Sequence, residues 1–389
     1  MFEKDEASLT SMGAQITTKE IVQQPDLWED TLKIYEDNLG AIEDFLAKAH
    51  ALGGARRTRV IFCGAGTSAY VSDTLVPYLR RVGDNEALEF APVATTDVVC
   101  APLDYVRPED PTVMVSFARS GNSPESMAAY ERVGQVAKDL LYLNVTCAPE
   151  GRLTQESKDD KRALTLLIPR ANDKGFAMTG SYSCMLLLSA LIFDQASIED
   201  KRAWVARAAK MGREVIARES QIKAWVDRDF DRVTYLGSAS LSGLAREGQL
   251  KILELCAGRI ATSFDSSMGY RHGPKSFVND KTLVFDFVSN DPYTRQYDLD
   301  ILNEIKGDEI ALATVGIQQS TGSDFVGENF SFDGEVLLPE VYLALPYVMF
   351  AQTVAINASV KVGNTPDTPS PTGIVNRVVK GVTIHPFSL

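Results

Sequence analysis

From residue 27 the apolar positions keep helical spacing: Leu27, Leu32, Tyr35, Leu39, Ile42, Phe45, Leu46 and Ala49, until Gly53-Gly54 ends the pattern. The spacing predicts one long amphipathic helix, restarted by Pro25 at Asp26-Leu27-Trp28, with His50 as a solvated cap at its end. Ahead of it, residues 1–17 are polar, unpatterned and read as loose, and Thr18 caps a short helix through Gln24. From Arg59 the pattern changes to short continuous apolar runs, near 59–63, 87–92, 112–117, 140–145 and 163–168, with helix-like stretches between most of them. Such alternation predicts parallel strands, crossover helices and a sheet covered on both faces. Gly175 to Ala196 reads as a loop feeding an apolar helix, and Ser197 to Trp225 as a second, more charged one.

Composition changes at Asp227-Arg228-Asp229, which marks a candidate boundary, and the second half then repeats the first in outline. Arg232 to Ser238 parallels the strand that runs from Arg59 into glycine and serine, and Thr282 to Val288 parallels the strand at 112–117. The tail from Gly363 carries Pro366, Pro369 and Pro371 and should run extended over the surface before Val378 to Ile384. The expected fold class is therefore α/β. Its parts are an N-terminal segment and helix (1–55), a first sheet domain (56–226), a second (227–362) and a C-terminal tail (363–389).

Two strand–loop–helix junctions in the first domain suit an anion. The strand at 112–117 runs into Ala118-Arg119-Ser120-Gly121-Asn122-Ser123, and Pro124 then opens a helix. The free N–H groups and dipole of a helix start favour negative charge, serines add donors and Arg119 adds a fixed cation. A serine-capped turn would explain this loop equally well. The strand at 59–63 ends in a second such loop, Gly64-Ala65-Gly66-Thr67-Ser68. Two loops of this kind can converge on one phosphate at the carboxyl edge of a parallel sheet. The second half has Ser289-Asn290-Asp291-Pro292 in place of the serine-rich loop, so the phosphate is expected in the first half only.

Composition narrows the partners. The 389 residues carry a net charge of −13, which argues against nucleic acid or an anionic membrane and leaves an anionic ligand dependent on local groups. No signal-peptide pattern or uninterrupted bilayer-spanning apolar run is evident. The five cysteines are dispersed without a CxxC pair, and a cytoplasmic chain with reduced thiols is expected. Only His50, His272 and His385 are present, so neither a metal nor another cofactor is expected.

Glu247, Lys251 and Glu254 fall within one narrow helical stripe, at zero, about 40° and about −20°. Leu250, Ile252, Leu253 and Leu255 occupy the other sides. A surface ion-pair ladder is one reading, but the apolar neighbours favour the lining of a cleft. A carboxylate in such a place can act as a base at neutral pH. His272 sits in the turn Gly269-Tyr270-Arg271-His272-Gly273-Pro274, where position alone fits a structural or solvated histidine.

The texts GAGTSA at 64–69 and ARSGNSPES at 118–126 resemble the sugar isomerase (SIS) domain of glucosamine-6-phosphate synthase. Taken with Lys174 to Thr179, Tyr270 to Ser276 and Pro292 to Asp298, they are similar to the AgaS family over roughly residues 20–389. Those proteins are galactosamine-6-phosphate deaminases/isomerases, often labelled tagatose-6-phosphate ketose/aldose isomerases. The resemblance implies two tandem SIS domains and a phosphosugar substrate bound through Gly66, Thr67, Ser68, Arg119, Ser120 and Ser123. It places Phe176 and Thr179 near the sugar. It also implies Glu254 as proton carrier supported by Glu247 and Lys251, His272 as ring-opening group reaching into a neighbouring subunit, and Lys380 at the sugar carbonyl. For Lys380 an ordinary tail lysine fits as well. A homodimer or higher homo-oligomer with shared sites follows.

Ala118, Arg119 and Met178 depart from the synthase, which has serine, glutamine and serine there. The synthase's glutaminase domain has no counterpart before residue 59, and Cys63 is the first cysteine, so nitrogen is not expected from glutamine. The implied reaction is galactosamine 6-phosphate to tagatose 6-phosphate plus ammonia. The alternatives are plain ketose/aldose isomerisation, glucosamine-6-phosphate deamination, or a non-catalytic sugar-phosphate sensor. No residue decides the configuration at C4.

Overall fold

The computed structural model describes residues 1–379 and 381–389. In chain order the helices and strands begin with α1 (Glu6–Ser11), α2 (Gln15–Val22), α3 (Gln24–Asp37) and α4 (Leu39–Gly53). There follow β1 (Thr58–Gly64), α5 (Thr67–Val82), β2 (Leu88–Ala94), α6 (Thr95–Cys100), α7 (Pro102–Tyr105), β3 (Thr112–Ala118) and α8 (Pro124–Val136). Next come β4 (Leu140–Thr146), α9 (Arg152–Ser157), β5 (Ala163–Leu167), α10 (Gly180–Phe193), α11 (Ile198–Ala217) and α12 (Glu219–Val226). The remainder is β6 (Arg232–Gly237), α13 (Ser240–Leu255), β7 (Ala261–Asp265), β8 (Thr282–Phe287), α14 (Pro292–Asp308), β9 (Ala313–Gln319), β10 (Glu328–Phe332) and α15 (Glu340–Lys361).

Packing divides the chain into two compact units. One comprises Leu27–Asp173, Gly180–Ile198 and Val375–Leu389; the other comprises Met1–Asp26, Lys174–Thr179 and Glu199–Ile374. The first holds a parallel sheet in the order β2-β1-β3-β4-β5. Alternate residues of β1 serve opposite faces, as the period of two requires. Phe62 packs with Phe90, Phe117 and Phe193, while Ile61 and Cys63 join Met114, Val98 and Val133. All fourteen residues of α10 are buried, which is why its sequence shows no polar face. Each such large side chain contributes about 1.5–3 kcal/mol of transfer free energy.

The other unit holds a second parallel sheet, in the order β10-β9-β8-β6-β7. The α/β class and the paired parallel sheets agree with the sequence reading. Its core helix is α15, buried from Glu340 to Ser359. On length and composition alone α15 is long and apolar enough to span a bilayer, but Gln352, Thr353 and Asn357 interrupt its apolar run and 94% of its most apolar stretch is buried inside the protein.

The helix expected over Ser197 to Trp225 is two, α11 and α12, parted at Arg218, and three N-terminal expectations also need correction. Residues 1–17 are not loose: they form α1 and the start of α2, and Glu219 binds both the Met1 ammonium and, at 2.8 Å, the Phe2 N–H. Burial would raise the Glu219 pKa, but the Met1 ammonium and the bonds from Asn357 and Phe2 outweigh it and lower it. Thr18 lies inside α2 and does not cap it. The long helix is two, α3 and α4, parted at Asn38, whose side chain takes the Ile34 carbonyl at 2.8 Å and competes with the backbone ladder. His50 is half-exposed with Nε2 3.5 Å from Asp84.

Candidate active site

The first sheet reverses strand order between β1 and β3, which lie side by side with Cys63 opposite Ser116. β1 leads outward to β2 and β3 to β4, so the loops leaving them flank a topological switch point at the carboxyl edge. Close approach fixes the first loop: a Cβ on Gly64 would lie 2.3 Å from the Ser68 carbonyl, and Gly66 sits at φ 57°, ψ −129°. Thr67 and Ser68 begin α5 and are almost fully buried. In the second loop Ser123 caps α8, accepting from the Ser126 N–H at 3.2 Å, with Pro124 in the first turn. Ser120 Oγ accepts from the Asn122 N–H at 3.3 Å. Arg119 is 7% exposed and donates to the Arg377 carbonyl at 2.8 Å. Two helix starts, three serines and a guanidinium thus belong to one sheet edge, an arrangement suited to a phosphate.

In the other unit, α13 carries the acidic stripe. Lys251 Nζ lies 3.2 Å from Glu247 and 2.8 Å from Glu254. Glu247 and Lys251 are fully buried, whereas the Glu254 side chain is 24% exposed. The surface-ladder reading is therefore excluded. Burial works against the Lys251 ammonium, but the two carboxylates outweigh it and hold its pKa above the ordinary lysine value. A cation locked between two carboxylates, only one of which reaches solvent, gives a single glutamate a fixed position at a surface. Lys251 Nζ also lies 3.4 Å from the Met178 carbonyl, which brings the 174–179 loop to the same helix. Glu20 pins that loop by accepting from the N–H groups of Lys174 and Gly175. Within it Thr179 is 1% exposed and Phe176 half-buried.

His272 ends a one-turn 3-10 helix, Gly269–Arg271, and is exposed. The turn is held from beneath by Tyr270, whose hydroxyl lies 3.2 Å from Thr234 Oγ1. Glu304 steadies its flanks by pairing with Arg271 at 2.6 Å and with Lys275. Lys380 lies outside the described residues.

A cluster not assigned from sequence lies at the switch point of the second sheet, between β6 and β8. Asp298 of α14 and Asp286 of β8 are both fully buried there. Asp298 accepts from Ser238, Ser267 and Ser289. At its own switch point the second sheet thus holds a carboxylate of its own chain, where the first has its serine loops. Helical spacing was the available signal: Arg295 and Asp298, three apart on α14, share a buried face, while Tyr293 is exposed. Among the described residues no three His, Cys, Asp or Glu side chains gather as a metal-ligand cluster.

No family model matches the sequence. The chain is 40% identical over 381 residues to the D-galactosamine-6-phosphate deaminase AgaS of Escherichia coli, covering 95% of this chain and 96% of that protein. Its fold matches that of a tagatose-6-phosphate ketose/aldose isomerase from Escherichia coli with TM-score 0.87 and 36% identity, over 99% of both chains. A Clostridium novyi protein provisionally described as a tagatose-6-phosphate ketose/aldose isomerase matches with TM-score 0.94 and 38% identity, over 100% of this chain and 99% of that one.

Proposed function

The chain belongs to the AgaS family of aminosugar-phosphate enzymes, and from that membership we propose that it converts galactosamine 6-phosphate to tagatose 6-phosphate and ammonia. The observation that carries the proposal is the stripe on α13, where buried Glu247 and Lys251 fix Glu254 as the one carboxylate reaching solvent. A sensor needs a phosphate pocket but no such buried ion triad.

In the proposed reaction Gly66, Thr67, Ser68, Arg119, Ser120 and Ser123 hold the phosphate, and binding energy remote from the reacting carbons anchors the sugar. His272 assists ring opening. Glu254 removes the C2 proton of the open-chain aldehyde, giving an enolamine, and returns a proton to C1. The product is an imine at C2, which water hydrolyses to the ketose with loss of ammonia. Lys251 steadies Glu254, Glu247 neutralises Lys251 from behind, and Phe176 and Thr179 border the sugar. Lys380 is assigned to the sugar carbonyl by family resemblance alone. The functional unit is proposed as a homodimer in which His272 serves the partner's site. The half-exposed apolar side chains of Leu253, beside Glu254, and Met268, on the His272 turn, support this, being the kind of surface a second copy would cover.

The structural relatives, described as tagatose-6-phosphate ketose/aldose isomerases, favour a second reading, isomerisation of tagatose 6-phosphate with no loss of nitrogen, which the same Glu254 and His272 would serve. The proton-transfer step is tested by turnover of galactosamine 6-phosphate in heavy water. Solvent deuterium should appear at C1 of the ketose product, and Glu254→Gln should abolish turnover while still binding the sugar phosphate. Full turnover by Glu254→Gln would refute the assignment.

A further inference from the structure

The stretch Pro292 to Asp298 has no part in the chemistry above, yet three loops of its unit meet at its last residue. Asp298 Oδ1 accepts from Ser238 Oγ at 2.5 Å and from Ser267 Oγ at 2.6 Å, and Oδ2 accepts from the Ser289 N–H at 2.9 Å. Ser238 lies in the junction that opens α13, the helix of Glu254. Ser267 lies five residues before His272, in the segment that forms its turn. Ser289 follows β8. Behind them Asp286 is fully buried, and neither of its carboxyl oxygens has a hydrogen-bond partner of normal geometry.

We propose that Asp298 is a positioning residue: its carboxylate ties the α13 junction and the His272 turn together, and so places Glu254 for its own chain's site and His272 for the partner's. The inference rests on the roles given to those two residues above. The clamp is held by dipoles and not by a salt bridge. Arg295, one turn earlier on α14, directs its guanidinium to the carbonyls of Ser289, Gln319 and Ser323 and to Asp324. Two neighbouring buried carboxyls cannot both ionise cheaply. Burial and then the charge of Asp298 push Asp286 well above the usual carboxylate range, with the Ser267 hydroxyl opposing. Burial pushes Asp298 up to about 6, against the bonds from Ser238, Ser267 and Ser289 and the field of Arg295. Two titratable groups of α15 also face the cluster, and Asp265 of β7 pairs in register with Leu236, the β6 residue opposite Asp286. Tyr347, raised by burial, donates to the Val288 carbonyl at 3.2 Å, and Glu340 accepts from Ser289 Oγ at 3.0 Å.

A positioning charge and an ordinary fold staple differ in what their loss does. Because the Asp298 pKa is raised by folding, its protonated form is the one that favours the fold. That contribution is complete below the unfolded carboxylate range, near pH 4, and is lost as pH rises through about 6. Removing the charge at neutral pH therefore takes away a buried ion, and stability should survive while activity does not.

The test compares wild type with Asp298→Asn, which keeps the shape, and with Ser267→Ala, which removes one bond. Ammonia release from galactosamine 6-phosphate, thermal midpoint and amide hydrogen exchange of residues 266–277 are followed from about pH 5 to about pH 9. For Asp298→Asn, kcat should fall at least about tenfold with KM within about threefold, as misplacement of reacting groups predicts. The midpoint at about pH 7.5 should stay within a few degrees of wild type, and exchange should rise selectively in 266–277. The wild-type acid limb of kcat, near pH 6, should be absent from Asp298→Asn. Ser267→Ala should lower kcat several-fold and also raise that exchange, which keeps the proposal testable if the Asp298 variant does not fold. Unchanged kcat, or kcat and midpoint collapsing together with exchange rising across the whole unit, overturns it. Should the wild type release no ammonia from any hexosamine phosphate, the functional reading fails by itself. The exchange result then decides the clamp alone: a selective rise supports it, and no rise overturns it.

Discussion

Ala239 stands at φ 50°, ψ −121°, a conformation that suits glycine and strains alanine. The equivalent residue of the first sheet is Gly66 at φ 57°, ψ −129°, so the two junctions share a backbone shape that residue identity hides. Relief of about 1–3 kcal/mol of strain, less about 0.4–1 kcal/mol of added unfolded-state freedom, predicts that Ala239→Gly is more stable by about 1 kcal/mol. Urea denaturation reads this directly, and a lower midpoint would contradict it. Asp286 makes a second residue-scale prediction. Its folded pKa is raised, so its contribution to stability is complete below the unfolded range and is lost as pH rises toward the folded value. Asp286→Asn should therefore melt above wild type at about pH 8, the gap closing toward about pH 4. A gap that widens on acidification would reverse the sign and the argument. Helical spacing puts Asp298 on one face with Arg295, but nothing local marks that face as buried and not solvated, so the buried carboxyls were not legible from the sequence.

At the scale of elements, the first sheet was legible because its strands are apolar runs closed by glycine and serine. β1, Thr58–Gly64, runs one residue past the expected strand at both ends, and β3, Thr112–Ala118, one residue past it at the C-terminal end only. β7 and β10 escaped because they are short, half-exposed edge strands. β9 escaped for another reason: buried Gln318 and Gln319 look polar in sequence but are satisfied by Phe325, Ser331, Asp333 and Val336. α1 and the start of α2 escaped because tertiary bonds to Glu219, not periodicity, hold the chain start in place. The two serine loops yield a sharper test. If they hold the phosphate, Ser120→Ala and Arg119→Ala should raise KM far more than they lower kcat, by about 1.5–3 kcal/mol each for a bond to a charged group. Steady-state kinetics with the phosphosugar would show it, and an unchanged KM for either variant would move the phosphate elsewhere.

For the whole molecule, the proposal that Glu254 and His272 of different chains complete each site has a numerical consequence. Glu254→Gln and His272→Ala homodimers should each be nearly inactive. When the two are co-expressed, half the dimers are hybrids, and each hybrid gathers both defects at one site and none at the other. Activity should return to about a quarter of wild type by symmetry and random pairing. A mixture in which hybrids form yet activity stays at parental level would place His272 in its own chain's site. The most direct measurement of the central claim is simpler. Ammonia and ketose phosphate are followed together during turnover of galactosamine 6-phosphate, without glutamine and with a chelator, beside glucosamine 6-phosphate and tagatose 6-phosphate. The proposed chemistry predicts ammonia and tagatose 6-phosphate in equal amounts from galactosamine 6-phosphate. Interconversion of tagatose 6-phosphate with its aldose, and no ammonia from either hexosamine phosphate, would contradict it.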